Sequence, residues 1–157
     1  MDLLINLCAV PDPLILPDVT IHRVLPPNFG RVRAFIRETF GDGWAEEAGY
    51  AMCHQPVSCY IAVKCSSTGG AKQLAGFACY DATARGYFGP TGVAERFRRQ
   101  GIGEALLLHT LRGMRENGYG YAIIGWTSDM AVGMYKKIGA VEIPGSGAKN
   151  TLYKNLL

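Results

Sequence analysis

The segment at residues 93–117, VAERFRRQGIGEALLLHTLRGMREN, joins a run of arginines to a Gly-Ile-Gly turn and then to an apolar pattern with helical spacing. Four apolar residues fall on one arc of that pattern: Leu106, Leu107, Leu111 and Met114. Charged residues fall on the opposite arc, which predicts an amphipathic helix over 103–117. Free amide groups and the helix dipole favour an anion at a helix N-terminus, so the glycine turn is a candidate anion site.

The glycine turn fits neither of two common nucleotide-binding patterns. A Walker A loop needs GxxxxGK[ST], but Gly103 is followed by glutamate. A dinucleotide fingerprint needs GxGxxG, and Leu106 stands where the third glycine would allow close helix packing. Two interpretations are left: backbone amides that cradle a diphosphate, with Arg98 and Arg99 at its edge, or a helix entry with an exposed basic patch.

Composition and charge limit the class of protein. A chain of 157 residues, 48% hydrophobic and 18% charged, is typical of one folded domain. The net charge of +3 gives no case for a nucleic-acid partner. No apolar run reaches the about 20 residues of a membrane span, so no membrane partner is expected. Five cysteines without CxxC spacing and three scattered histidines favour reduced thiols, a cytoplasmic location and no metal site.

The chain reads as an α/β alternation of strands and helices. Residues 1–17 are interrupted by prolines and predict an irregular N-terminal arm before one domain at 18–157. Strands are predicted at 19–24, 57–64, 73–81, 86–93 and 121–126, and in AVEIP and NTLYKNLL at the end of the chain. Besides the helix at 103–117, helices are predicted after Asn28 as N-cap, at 44–53 and at 128–139. The strands at 57–64 and 73–81 form a hairpin, and Pro90 requires a bulge in its strand.

Two motifs in a fixed order carry a family resemblance. From Val93 the chain reads V-x-x-x-x-R-x-x-G-x-G, and one strand later MAVGMYKKIGA gives A-x-x-x-Y-x-x-x-G. Together with the element order, this resembles the GNAT superfamily of acyl-CoA-dependent N-acyltransferases, over 18–157 in architecture and 86–140 in motif. The resemblance implies a mixed, mostly antiparallel central sheet flanked by helices. It also implies splayed parallel strands 4 and 5, here the strands at 86–93 and 121–126.

The resemblance implies acetyl-CoA as cosubstrate, with no metal. The residues implied in binding it are Val93, Arg98, Arg99, Gln100, Gly101, Ile102, Gly103, Ser128 and Ala131. Ser128 stands where the family commonly carries asparagine. By the same resemblance Tyr135 is the general acid, because a phenol with a reference pKa of about 10 is protonated at neutral pH and can donate to the departing thiolate. The alternative is that Tyr135 is a core tyrosine on an apolar helix face.

No motif identifies the general base. The strand at 86–93 carries no acidic residue, and Asp81, at the end of the preceding strand, is the first candidate. The alternatives are Glu38, Glu46, Glu47, His54 or a water chain. The aromatic candidates for the acceptor cleft are Trp44, Tyr50, Tyr80 and Tyr87. Lys136 and Lys137 either meet the 3′-phosphate of CoA or form a solvated helix face.

The resemblance implies transfer of an acetyl group from acetyl-CoA to a primary amine of a small molecule or peptide, by direct attack with Tyr135 as general acid. The alternative is a non-catalytic acyl-CoA-binding module, which the missing strand carboxylate and Ser128 motivate. A homodimer through the C-terminal strands is the oligomer that this fold would allow. No residue selects among the amines that such folds serve.

Overall fold

The computed structural model describes residues 1–66, 69–125, 127, 129–147 and 149–150, which form an α/β fold. Its strands are β1 (Leu3–Asn6), β2 (Val19–Arg23), β3 (Cys59–Lys64), β4 (Gln73–Tyr80), β5 (Phe88–Val93), β6 (Tyr121–Ile124) and β7 (Val141–Glu142). Its helices are α1 (Phe29–Phe40), α2 (Asp42–Met52), α3 (Ile102–Glu116) and α4 (Asp129–Lys137). The predicted segments at 128 and 151–157 lie outside the described residues.

One antiparallel sheet has the strand order β2-β3-β4-β5. Strands β3 and β4 pair antiparallel with Cys59 opposite Cys79, which confirms the predicted hairpin. The pairing of β4 with β5 shifts register between Ala78 and Tyr80, which confirms the predicted irregularity around Pro90. Proline has no amide hydrogen to donate to the ladder, and the shift lets the strand pair on both sides of it.

A second sheet has the order β6-β1-β7, with β1 at its centre. Leu3 lies opposite Ile124 on one side and Glu142 on the other. The prediction of an irregular arm is therefore wrong at Leu3–Asn6. Strands β6 and β7 supply hydrogen-bonding neighbours for this strand, and Leu3 and Ile5 on one of its faces are fully buried in the core that also contains the apolar residues of α3. The prolines begin only after this strand has ended.

The expected parallel pairing of the strands at 86–93 and 121–126 is not confirmed. These are β5 and β6, which belong to different sheets, and the strand pairs of both sheets are antiparallel. Only an isolated parallel bridge joins Tyr87, just before β5, to Ile123, where the Ile123 amide donates to Gly86 O at 2.9 Å. Beyond it the described parts of β5 and β6 do not pair, and a cleft lies between them.

The helices cover the four-stranded sheet from two sides. Helix α3 buries the predicted apolar arc against β3, β4 and β5, and helices α1 and α2 form a second core on the opposite face. Asn28 precedes α1 as predicted but makes no side-chain cap bond, because the chain enters α1 through a 3₁₀ turn at Pro26–Asn28. Gly139, with φ of 90°, follows α4 as the predicted stop. No helix in the described ranges is long and apolar enough to cross a bilayer.

Candidate active site

The glycine turn forms the N-terminus of α3. Gly101 is the N-cap with φ of 78°, a left-handed conformation that glycine adopts without steric cost. The first amide bonded back to the turn is that of Ala105, which donates to Gly101 O at 3.0 Å. Within the described chain, the amides of Ile102 and Gly103 have no backbone acceptor. These free donors at a helix N-terminus are suited to an anion.

The turn is fixed to the end of β5. Arg98 Nε donates to Val93 O at 3.1 Å, which holds the guanidinium beside the strand end. An added Cβ at Gly103 would lie 3.7 Å from Val93 Cγ2, so the first turn of α3 packs against the strand. Gln100 Oε1 accepts from Lys64 Nζ at 3.0 Å, while Ile102 is buried and offers only its backbone. The structure thus brings most of the predicted cofactor residues together.

A cleft of about 890 Å³ runs between the two sheets. Strand β5 forms one wall, and the end of β6 with helix α4 forms the other. Its lining residues include Phe88, Gly89, Pro90, Thr91, Gly92, Val93, Gly103, Ile124, Gly125, Ala131, Met134 and Tyr135. The N-terminus of α3 and the predicted tyrosine therefore open onto the same cavity.

Tyr135 lies in the wall of the cleft on α4. Its side chain is 5% exposed, and its ring packs edge-on against Phe88 with 6.1 Å between ring centroids. Burial raises the pKa of Tyr135 to about 12, because a phenolate would lose its hydration there. The hydroxyl therefore keeps its proton throughout the neutral range.

Helix α2 closes the opposite end of the cleft. Trp44 and Glu47 are three residues apart and share one helix face, and both line the cavity. Thr83 Oγ1 donates a short hydrogen bond to Glu47 Oε1. Among the described lining residues Glu47 is the only carboxylate, and lysine and arginine are absent. Sequence reasoning weighed Glu47 as one of several acids and had no signal that Thr83 would be its partner.

Asp81, the first candidate from the sequence for the catalytic base, is not among the residues that line this cleft. Its Oδ1 accepts from the Gly86 amide at 2.7 Å, and its Oδ2 accepts from Tyr119 Oη at 2.7 Å. Burial raises the pKa of Tyr119, and so does the hydrogen bond to Asp81. Both carboxylate oxygens hold a turn and a neighbouring loop, so the geometry gives Asp81 a structural role.

Two other candidates for the general base, Glu46 and His54, also lie outside the cleft. Glu46 pairs with Arg33 and with Arg37 on the outer side of α2, the latter pair at 2.9 Å. His54 Nδ1 is 3.0 Å from Ser58 Oγ. None of these lines the cleft.

The predicted aromatic residues divide into two groups. Trp44 and Tyr87 line the cleft. Tyr80 is buried and its hydroxyl accepts from Arg23 Nη1 at 3.0 Å, while Tyr50 is exposed beside the His54 ring. Position along a strand or helix therefore did not distinguish cleft residues from core residues.

Two further polar groups bear on the site: the Thr127 hydroxyl and the Lys136 ammonium. Thr127, which follows β6, lines the cleft, and its buried Oγ1 has no hydrogen-bond partner in the described part of the chain. Lys136 Nζ pairs with Glu142 at 3.0 Å, so its charge is not free to meet the 3′-phosphate of CoA.

In the ranges that the structure covers, no three His, Cys, Asp or Glu side chains are grouped to hold a metal ion.

Solved structures share the fold at low sequence identity. A GCN5-related N-acetyltransferase from Sphaerobacter thermophilus has a TM-score of 0.68 at 18% identity, over 89% of this chain and 47% of that one. The glucosamine N-acetyltransferase region of a fungal multi-domain GH3 β-N-acetylglucosaminidase gives 0.67 at 14%, over 89% and 19%. AAC(6')-Iy, solved with the bisubstrate analogue CoA-S-monomethyl-acetylneamine, gives 0.54 at 13%, over 77% and 89%. The present chain spans less than half the length of the first two.

Comparison of the sequence with protein families, rather than with single proteins, identifies the family of this chain. No curated protein matches the chain significantly. Residues 29–140, however, match the acetyltransferase (GNAT) family, and they include the glycine turn, both cleft walls and Tyr135. This chain belongs to the GNAT family of acetyltransferases.

Proposed function

We propose that this chain transfers an acetyl group from acetyl-CoA to a primary amine of a small molecule or peptide. One observation carries the proposal: a single cleft has free helix-N-terminal amides at one end, a protonated tyrosine in its wall and one carboxylate at the other end. Family membership supports the reaction type. The complex of AAC(6')-Iy with a CoA-containing analogue shows that a related fold holds such a ligand.

The residues around the glycine turn fit the diphosphate of CoA. The amides from Arg99 to Gly103 would donate to its oxygens, while the Arg98 amide already donates to Glu95 O at 3.1 Å. The charges of Arg98 and Arg99 would balance the charge of the diphosphate. Strand β5 pairs with β4 along one edge, while Gly89–Val93 has no strand partner along the other edge in the described chain. That open edge can pair with the amide groups of the pantetheine arm, as an extended peptide pairs with a sheet edge. Ala131 leaves room beside it, and Ser128 stays a binding residue proposed from sequence.

The reaction needs a proton donor for the leaving thiolate and an acceptor for the proton of the amine. Bound acetyl-CoA supplies the activated acyl group. The Tyr135 hydroxyl, which is protonated at neutral pH, donates the proton to the thiolate as the carbon–sulfur bond breaks. Glu47, directly or through water, takes the proton of the amine in place of Asp81. The apolar walls around Tyr135 exclude water from the thioester.

Calorimetric titration with acetyl-CoA tests the anion site. We expect the wild type to bind with a dissociation constant on the order of micromolar, and Gly101→Asp to lose this binding because a carboxylate enters the diphosphate position. Gly118→Asp is the matched control: Gly118 also has positive φ, at the other end of α3, with open space around an added Cβ. Absence of binding by folded wild type would contradict the proposal.

A non-catalytic acyl-CoA-binding module is the second candidate. It is favoured by β5, FGPTGV, which brings no carboxylate to the cleft. A thiol-release assay with an amine library separates the two functions. Release of CoA that depends on both the amine and Tyr135 supports the enzyme, whereas binding without release from any amine supports the module.

A further inference from the structure

The α2 end of the cleft presents one aromatic ring and one negative charge. The Trp44 side chain is 39% exposed, and its ring packs on Phe40 and Phe77 at 5.6 and 6.1 Å between centroids. Thr83 occupies Oε1 of Glu47, and no described lysine or arginine forms an ion pair with that carboxylate. The charge of Glu47 is thus left without a cationic side chain to neutralise it.

The rest of the described lining carries no charge that could oppose Glu47. It consists of glycine, proline, threonine, methionine, aliphatic and aromatic residues. An ammonium group entering beside Glu47 gains Coulomb attraction and, over the face of Trp44, a cation–π contact. A carboxylate or phosphate on the same molecule would meet a like charge, or a wall with no cation to replace its lost hydration.

We infer that Glu47 selects the acceptor by charge, so that the cleft takes a primary ammonium on an uncharged body and rejects amines that also carry an anionic group. This inference rests on the proposed function and adds the class of acceptor to it. The ammonium is recognised by Glu47 and Trp44, and the uncharged body lies against the apolar walls. Thr83 holds the carboxylate in place as a positioning residue.

The experiment uses pairs of amines that differ only in charge. These are 6-aminohexanamide against 6-aminohexanoate, and 4-(aminomethyl)benzamide against 4-(aminomethyl)benzoate. For each, kcat/KM with acetyl-CoA is measured by thiol release on wild type, Glu47→Gln and Glu46→Gln. Glutamine keeps an acceptor oxygen for Thr83 and removes the charge. Glu46, the neighbouring carboxylate that pairs with Arg33 and Arg37 away from the cleft, is the matched control.

In the wild type we expect kcat/KM for each amide to exceed that of its carboxylate partner by at least about tenfold. Glu47→Gln should lower kcat/KM for the amides and bring the ratio toward one, while Glu46→Gln should change neither. Equal use of amide and carboxylate by the wild type, or a ratio unchanged in Glu47→Gln, would overturn the inference.

Binding measurements separate this inference from the proposed function. Acetyl-CoA affinity is titrated for every variant, and amine binding is titrated with and without CoA. Loss of acetyl-CoA binding by the wild type would contradict the proposed function, and amine titration on the free protein would then decide the charge selection. If acetyl-CoA binds but no amine is acetylated, preference for the amides in binding to the CoA-loaded protein supports the inference. Lack of such a preference overturns it.

Discussion

Tyr135 is the residue on which the proposed chemistry depends most directly. Replacing Tyr135 with Phe keeps the ring that packs on Phe88 and removes only the proton donor. Since general acid catalysis contributes about 10²- to 10⁴-fold, we expect kcat to fall by that factor with acetyl-CoA affinity unchanged. Steady-state thiol release and calorimetry measure the two quantities. Tyr121→Phe is the control, because Tyr121 is 57% exposed and outside the cleft. If Tyr135→Phe were fully active, Tyr135 would be a core residue and not the proton donor.

The same residue gives the protein an alkaline stability limit. Burial raises the pKa of Tyr135 to about 12 in the folded chain, against about 10 when unfolded. Below about pH 10 both states hold the proton, and between about pH 10 and 12 the unfolded state loses it first, so the free energy of unfolding falls as pH rises. Denaturant unfolding at both ends of this window should show a drop up to about 2 kcal/mol larger in wild type than in Tyr135→Phe. An equal drop in both proteins would mean that the phenol is not desolvated.

Helix α3 packs tightly against side chains of the sheet at Gly113. An added Cβ there would stand 2.1 Å from Tyr60 Oη and 3.1 Å from Arg23 Nη2, so either these side chains or the helix must shift to admit it. We expect Gly113→Ala to lower the free energy of unfolding by about 1–3 kcal/mol through overpacking. Gly133→Ala on α4 is the control: its added Cβ meets nothing within 4 Å, and alanine should gain up to about 1 kcal/mol from helix propensity. Stabilisation by both substitutions would show that α3 does not approach β3 closely.

Local patterns explain which elements could be predicted from the sequence. The apolar arc of α3 repeats over four turns, and the hairpin of β3 and β4 joins two long apolar runs, so each carries its own signal. Strand β1 has only four residues, and its burial depends on β6 and β7, which are distant in sequence. The short apolar run in LLIN could not outweigh the prolines that follow it. Contacts made by partners far along the chain therefore decided the element that sequence reasoning missed.

The same distinction holds for the site in the whole molecule. The glycine turn is a local feature in which neighbouring residues provide both the conformation and the free amides, so residues 98–103 were predicted together. The choice between Asp81 and Glu47 depends on how α2 and the turn after β4 lie against the cleft. The positions of Asp81 and Glu47 in the sequence do not show which of the two carboxylates faces the cleft. Only the assembled sheets show that Asp81 bonds Tyr119 and that Glu47 lines the cavity.

The central strand β1 ties the N-terminal end of the described chain to the half that carries one cleft wall. Ile5 is 0% exposed and lies opposite Ala122 in β6. Ile5→Ala should therefore lower the free energy of unfolding by about 2–5 kcal/mol, the cost of a cavity in a core. Ile15→Ala, at a position that is 92% exposed, should change it by less than about 0.5 kcal/mol. Denaturant unfolding with an unchanged slope measures both variants. An equally small effect of the two substitutions would contradict the placement of β1 in the sheet, and with it the support of β6 as a wall of the cleft.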